Sequence, residues 1–115
     1  MTVLVKNLCA NALVVGTSSG AATALYSATA GGVAQIDQIT AYNNSGSACT
    51  LYCYITPSGV APSATDPVVP IVVPAYLSVS IYQLIGHKIP AGGALSAWAD
   101  VTNVIRVTAS GAEFS

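Results

Sequence analysis

The chain has 115 residues, a formal net charge of −1, 53% hydrophobic residues and only 6% charged residues. Its length fits one domain, so we expect residues 1–115 to fold as a single unit. Its basic residues, Lys6, Lys88 and Arg106, lie far apart in the sequence. Because phosphate binding requires clustered cations, this composition argues against a nucleic-acid partner.

The sequence does not predict a membrane-spanning helix. Such a helix needs about 20 mainly apolar residues in succession. The longest apolar stretches, 12–15 and 68–73, are much shorter and are bounded by Asn, Gly or Pro. The first residues, MTVLVKNLCANALVVG, also lack the ordered basic, apolar and small-residue regions of a secretory signal. We therefore expect synthesis in the cytoplasm and no membrane partner.

Short runs of β-branched and aromatic residues alternate with clusters of Gly, Pro, Asn and Ser, a pattern typical of strands joined by turns. In chain order, the predicted strands are 3–8, 13–16, 24–28, 34–43, 48–56, 68–73, 77–84, 95–99 and 104–109. We predict no helix. Eight or nine short strands at this spacing favour an all-β fold, a two-sheet antiparallel β-sandwich of the jelly-roll type, with a closed barrel as the structural alternative.

The segment 48–56 is the clearest strand, because its apolar and polar residues alternate. The face predicted to point into the core carries Cys49, Leu51, Cys53 and Ile55. The preceding residues 43–47, Asn-Asn-Ser-Gly-Ser, suit a tight turn. We therefore predict a hairpin that joins strands 34–43 and 48–56 in antiparallel pairing.

Two irregularities are expected in the sheets. Ile36 and Ile39 have opposite parity, so a bulge near Asp37 and Gln38 is needed to bury both side chains on one face. Pro70 lies inside strand 68–73 and removes one main-chain donor. This strand is therefore expected at the edge of a sheet.

The sequence predicts no catalytic site. The single histidine, His87, has no acid partner or nucleophile motif beside it, so it is expected to be a loop residue. The four acids, Asp37, Asp66, Asp100 and Glu113, are widely separated and fit surface or turn positions better than a catalytic pair. We therefore expect the protein not to be an enzyme, and we predict no catalytic residue.

The cysteines and glycines do not indicate a cofactor or a metal site. Cys49 and Cys53 are about 13 Å apart on a strand, at about 3.3 Å per residue, so they cannot share one zinc ion. Cys9 makes the cysteine count odd, which favours reduced, buried thiols, although pairing across the sheets stays open. No glycine-rich phosphate-binding motif is present. No cofactor and no metal are predicted.

Three segments carry a resemblance: LYSATAGGVAQIDQITAYNNSGSACTLYCYI, YQLIGHKIPAGGALSAWAD and VIRVTASGAEF. They resemble small β-sandwich virion proteins of tailed bacteriophages, of the capsid decoration or cement type, over roughly residues 24–113. Similar modules also occur in tails and fibres. The chain departs from the family pattern at Gly92-Gly93, where related sequences often place Asp after the first Gly.

The resemblance implies a structural virion protein on the capsid surface, which binds the major capsid protein, or another virion protein, and stabilises the assembled head. A homodimer or homotrimer is expected. The alternative is a tail or fibre module that binds glycan or protein, for which the outward Tyr52 and Tyr54, with Tyr76, Tyr82 and Trp98, would supply aromatic contacts.

The predicted interface combines apolar residues near the N-terminus with aromatic and proline residues on later strands. Its residues are Val3, Val5, Leu8, Tyr52, Tyr54, Pro70, Tyr76 and Trp98. Because residues 1–16 precede the region of resemblance, we interpret them as an arm or extra strand that pairs with a neighbour. The proline-rich segment 57–74 is a second candidate contact. Ordinary packing between sheets or within an oligomer is the competing interpretation of the aromatic residues.

Overall fold

The computed structural model describes residues 2–29, 31–63, 65 and 67–115. The strands are β1 (Val3–Val14), β2 (Thr23–Ser27), β3 (Val33–Asn43), β4 (Cys49–Thr56), β5 (Val69–Val73), β6 (Ser78–Ser80), β7 (Lys88–Ile89), β8 (Ala94–Ala99) and β9 (Ile105–Phe114). The helical segments described are two short 3₁₀ turns, Ser19–Ala21 and Tyr82–Leu84. Neither has the length and apolar character that a membrane-spanning helix requires.

The strands form two antiparallel sheets packed face to face. The five-stranded sheet has the order β1-β9-β3-β6, with β7 also paired to β3, and the four-stranded sheet has the order β2-β8-β4-β5. Apart from β4–β5 and β6–β7, consecutive strands lie in different sheets. This wrapping is that of a jelly roll and confirms the predicted two-sheet β-sandwich.

The core lies between the sheets and is built from alternate residues of the longer strands. Its largest fully buried aliphatic side chains include Ile36 and Ile39 of β3, Leu51 of β4, Leu95 of β8 and Ile105 of β9. The predicted core face of β4 is confirmed, because Cys49, Leu51 and Cys53 are buried and Ile55 packs against the core. Residue alternation alone therefore identified the inner face of this strand.

Both predicted irregularities are present. The register of β3 against β9 shifts between Ile36 and Gln38, and this bulge allows Ile36 and Ile39 both to be fully buried. Strand β5 lies at the edge of the four-stranded sheet, with Pro70 exposed.

The bounds of three strands of the five-stranded sheet differ from the prediction. The segments 3–8 and 13–16 belong largely to one strand, β1, whose register shifts after Asn7 and again after Cys9. Strand β9 continues past Ser110, because Gly111 has no Cβ; a Cβ at that position would lie 1.9 Å from the main-chain oxygen of Gln35. The predicted strand 77–84 ends at Ser80.

The early end of β6 has a packing reason. Ile81 and Leu84 are both fully buried, and Leu84 donates its main-chain N–H to the carbonyl of Ile81. A 3₁₀ turn brings residues three apart onto one side, whereas a strand would point Ile81 and Leu84 in opposite directions.

The predicted hairpin between 34–43 and 48–56 was wrong, because β3 and β4 lie in different sheets. The side chain of Asn43 is fully buried at the crossing. Its Nδ2 donates to the carbonyl oxygens of Ser47 (2.8 Å) and Val73 (3.0 Å), and its Oδ1 accepts from Ser45 Oγ (2.8 Å). These bonds fix an arch between the sheets in place of a tight turn.

We predict that Asn43→Ala lowers the free energy of unfolding by about 1–3 kcal/mol, because it removes the side-chain donor to the buried carbonyl of Val73. Urea denaturation followed by circular dichroism measures this change. The matched control is Asn44→Ala, which alters an exposed side chain beside the arch. Equal stability losses in the two variants would contradict this role for Asn43.

Candidate binding surfaces on the outer faces

Strand β1 forms one edge of the five-stranded sheet, and β9 is its sheet neighbour among the described residues. At the start of the pair, Thr2 and Ser115 exchange two main-chain hydrogen bonds, of 2.7 and 3.0 Å. In an antiparallel ladder, hydrogen-bonded and non-hydrogen-bonded pairs alternate. The N–H and C=O groups of Val3, Val5 and Asn7 therefore point away from β9, toward the free edge.

Val3 and Val5 also present their side chains to solvent, with 55% and 77% of their surface exposed. Val3 lies directly across from Phe114, which lies across from Val33 on β3. Because Ala34 points into the core, its neighbour Val33 points outward. This row of three side chains therefore lies on the outer face of the sheet.

The next row continues the same surface. Val5 lies across from Ala112, Ala112 from Gln35, and Gln35 from Lys88 on β7. We call the apolar members of the two rows, Val3, Val5, Val33, Ala112 and Phe114, the outer patch. Val33, Gln35, Lys88 and Phe114 line an open cavity of about 470 Å³ beside it. The outer patch thus combines apolar side chains, a shallow depression and one cation at its margin.

The inner side of β1 carries an ion pair between Lys6 and Glu113, the one salt bridge found among the described residues. Lys6 Nζ donates to the carboxylate of Glu113, and the same ammonium lies 5.6 Å from the centre of the Tyr26 ring. The bond from Lys6, followed by the hydroxyl of Tyr26, holds the pKa of Glu113 below its usual value. Desolvation, together with the adjacent Glu113 carboxylate, raises the pKa of Tyr26. The charge of Lys6 is therefore neutralised within the chain.

The outer face of the four-stranded sheet carries an aromatic cluster of Tyr52, Tyr54 and Trp98. Tyr52 and Trp98 are cross-strand neighbours whose rings stack at 4.1 Å with an interplanar angle of 14°. Trp98 Nε1 donates to the hydroxyl of Tyr54 at 2.7 Å. Pro70 lies across from Tyr52 on β5. The cluster is thus held together by its own contacts before any ligand is considered.

Seven of the eight predicted interface residues fall into three groups, and Leu8 stands apart from them. Val3 and Val5 belong to the outer patch, and Tyr52, Tyr54, Trp98 and Pro70 belong to or adjoin the aromatic cluster. Tyr76 is exposed in the turn before β6. Leu8 and Tyr54 are only 7% and 1% exposed, so within one chain they support their neighbours and offer little contact surface.

Sequence reasoning missed Val33, Ala112 and Phe114 in the outer patch. Phe114 lies more than 100 positions from Val3 in the sequence, and only the register of β9 brings the two together. The available signal was that Phe114, the single phenylalanine, lies close to the C-terminal end of the sequence given.

The residues considered for chemistry are dispersed. His87 is exposed, Asp66 lies outside the described residues, and no group of three or more potential metal ligands occurs among the residues that the structure describes. The three cysteines are free and buried. Desolvation, followed by the proximity of Cys9, raises the pKa of the Cys53 thiol to about 12.

We predict that the Lys6–Glu113 pair makes stability depend on pH. Because the pKa of Glu113 is lower in the folded chain than in the unfolded chain, the pair stabilises the fold above the unfolded value, about 4.3. This contribution is lost as the pH falls through the lower, folded value. Melting temperatures measured from about pH 6 to about pH 3 should fall less steeply for Glu113→Gln than for the wild type.

The matched control is Asp100→Asn, which removes one exposed carboxylate and leaves the Lys6 contact in place. Identical pH profiles for the wild type and Glu113→Gln would contradict the assignment. So would an equal change of slope in the control.

In comparisons with known proteins, no family model, no curated protein and no solved structure matches this chain.

Proposed function

We propose that this protein is a structural virion subunit, a capsid decoration protein that binds the assembled head of a tailed bacteriophage and bridges neighbouring major capsid protein subunits. The observation that carries the proposal is the outer patch, an apolar row across β1, β9 and β3 in which Val3 and Val5 are exposed, Val33 and Phe114 are half-buried and Ala112 is buried. Contiguous apolar surface of this kind is typical of sites where another protein binds.

The composition supports a protein whose surface is partly covered by a binding partner. Only 6% of the residues are charged, against about 25% in an ordinary soluble domain. Binding between proteins draws on apolar contacts at the centre of an interface and polar contacts at its rim. The outer patch has this arrangement, with Val33 and Phe114 beside Gln35 and Lys88. A weak contact of this type, repeated over a shell and multiplied by oligomerisation, would give stable attachment.

The fold is compatible with the proposal and does not decide it. Jelly rolls occur in viral capsid proteins and in lectins, and a fold of this kind hosts many functions. The resemblance to small phage virion proteins described above favours the first of these classes. On this account the protein acts without chemistry, by bridging coat subunits and opposing the internal pressure of packaged DNA.

The competing function is a tail or fibre module that binds glycan, with the aromatic cluster as its site. In that cluster, the rings of Tyr52 and Trp98 stack on each other, so one face of each ring is already covered. The indole N–H of Trp98 donates to the hydroxyl of Tyr54. A sugar would have to stack on the remaining ring faces. In the outer patch, Val3 and Val5 are exposed and do not stack on a neighbour in this way, and this is the reason for preferring protein binding.

We expect the tagged wild-type protein to co-sediment with particles at a constant, high ratio to the major capsid protein. Val33→Glu should lower this ratio about tenfold or more, because burial of a valine contributes about 1.5–3 kcal/mol and tenfold in affinity corresponds to about 1.4 kcal/mol. Density-gradient purification followed by quantitative mass spectrometry measures the ratio. Circular dichroism establishes that the variant is folded.

The matched control is Val72→Glu, the same change at an exposed valine of β5. It should leave occupancy unchanged. Absence of the wild-type protein from particles, or equal occupancy of Val33→Glu and wild type, would contradict the proposal. A few copies per particle, or specific binding on a glycan array that Trp98→Ala abolishes, would support the tail or fibre function.

A further inference from the structure

The edges of the two sheets are protected to different degrees. An edge strand normally carries a device that prevents pairing with another chain, such as a proline, a bulge, a charge or a short length. Strand β5 contains Pro70, β6 and β7 have three and two residues, and β2 has five residues with a register shift after Ala24. Each of these edges is thus short or interrupted.

The edge of β1 lacks these devices over its first part. From Val3 to Asn7 its ladder with β9 is regular, and the first register shift comes after Asn7. Lys6 could act as a protective charge, but its ammonium is bound to Glu113 of the same chain on the inner side. Among the residues that the structure describes, the edge from Val3 to Asn7 is therefore unpaired, regular and electrically neutral, with Val5 as its most exposed valine.

We propose that two copies of this chain pair antiparallel through residues 3–7 of β1, about a two-fold axis at Val5, to form one continuous sheet. This inference goes beyond the proposed function and does not depend on the identity of any capsid partner.

Main-chain geometry supports this register. The outward N–H and C=O groups belong to Val3, Val5 and Asn7, as the bonded pair Thr2–Ser115 requires. With the axis at Val5, Val5 meets its own copy and Val3 meets Asn7 of the second copy. All of these are residues with outward groups, so each pair exchanges both of its hydrogen bonds. The edge of each copy therefore supplies both the donors and the acceptors that the other copy needs.

Side-chain positions favour a second copy over an unrelated strand. An axis perpendicular to the sheet keeps the outer faces on the same side, so Val5 packs on Val5 of the other copy. The two outer patches then adjoin as one apolar surface. On the inner side, Leu4 lies across from Lys6 of the other copy, whose charge is already neutralised by Glu113. Two-fold dimers with self-complementary contacts are also the commonest protein oligomers.

The test is sedimentation velocity over a concentration series, with the purified full chain and no particles present. The wild type should sediment with twice the chain mass. Val5→Pro should be monomeric, with a dissociation constant raised at least tenfold. The N–H of Val5 faces away from β9, so proline removes the donor at the axis and leaves the β9 ladder intact. Val5→Thr, which keeps the N–H and the branched shape, is the matched control and should remain dimeric.

A second measurement tests the register without relying on proline. Val5→Lys alone and Val5→Glu alone should each weaken the dimer, because each places like charges directly opposite at the axis. An equimolar mixture of the two variants should restore the dimer, since opposite charges then meet. Val72→Lys, the same change on β5, should not alter the wild-type behaviour.

A monomeric wild type at all concentrations would overturn the proposal, and so would a Val5→Pro variant that is folded by circular dichroism and still dimeric. Failure of the mixture to restore the dimer would overturn the Val5 register. Because none of these readouts involves capsids, a failed dimer and a failed decoration function are distinguished.

Discussion

The position of β9 is the constraint on which the remaining structure depends. It pairs with β1 on one side and β3 on the other, so it fixes the register of both strands at once. The bonded pair of Thr2 and Ser115 sets the phase of the β1 ladder. From that phase follow the direction of every main-chain group in the regular part of β1 and the side on which Val3 and Val5 emerge. The free edge of β1 and the position of the outer patch therefore both follow from the pairing of β1 with β9.

Charge placement makes the same region available for contact. With so few charges in the chain, a single lysine near an exposed edge would ordinarily discourage association. Here Lys6 points inward to Glu113 and the ring of Tyr26. The outer side of β1 therefore carries Val3, Val5 and the uncharged Asn7, while Lys88 and Gln35 define the margin of the patch. Association through this face removes apolar surface from water and does not require an unpaired charge to be buried.

Much of the fold could be predicted from local patterns. Alternation identified the core face of β4, the parity conflict of Ile36 and Ile39 located the bulge in β3, and Pro70 marked an edge strand. Each of these inferences depends on residues within about ten positions of one another. The hairpin prediction was wrong because the turn-forming sequence after Asn43 suits an arch as well as a tight turn. The buried bond from Asn43 to Val73, 30 positions away, decides between them.

The candidate site was less accessible to sequence reasoning. Val3 and Val5 were predicted from their hydrophobicity near the N-terminus, but Phe114 and Val33 join them only through the register of three strands. Tyr54 was expected outward from its parity and is nearly fully buried, because residues on an outer face can still be covered by their neighbours. The pairing of Lys6 with Glu113, which leaves the edge neutral, also joins residues near opposite ends of the sequence, so local patterns could not predict it.

The central claim is that β1 presents an open edge whose outward groups become paired when two chains meet. Residue-resolved amide hydrogen exchange by NMR tests it most directly, with the chain measured at a low and at a high concentration. The account predicts that Leu4 and Lys6 are protected at both concentrations, whereas Val3, Val5 and Asn7 exchange rapidly in the dilute sample and become protected in the concentrated one. Protection of all five amides in the dilute monomer, or rapid exchange of Val5 at high concentration, would contradict the account.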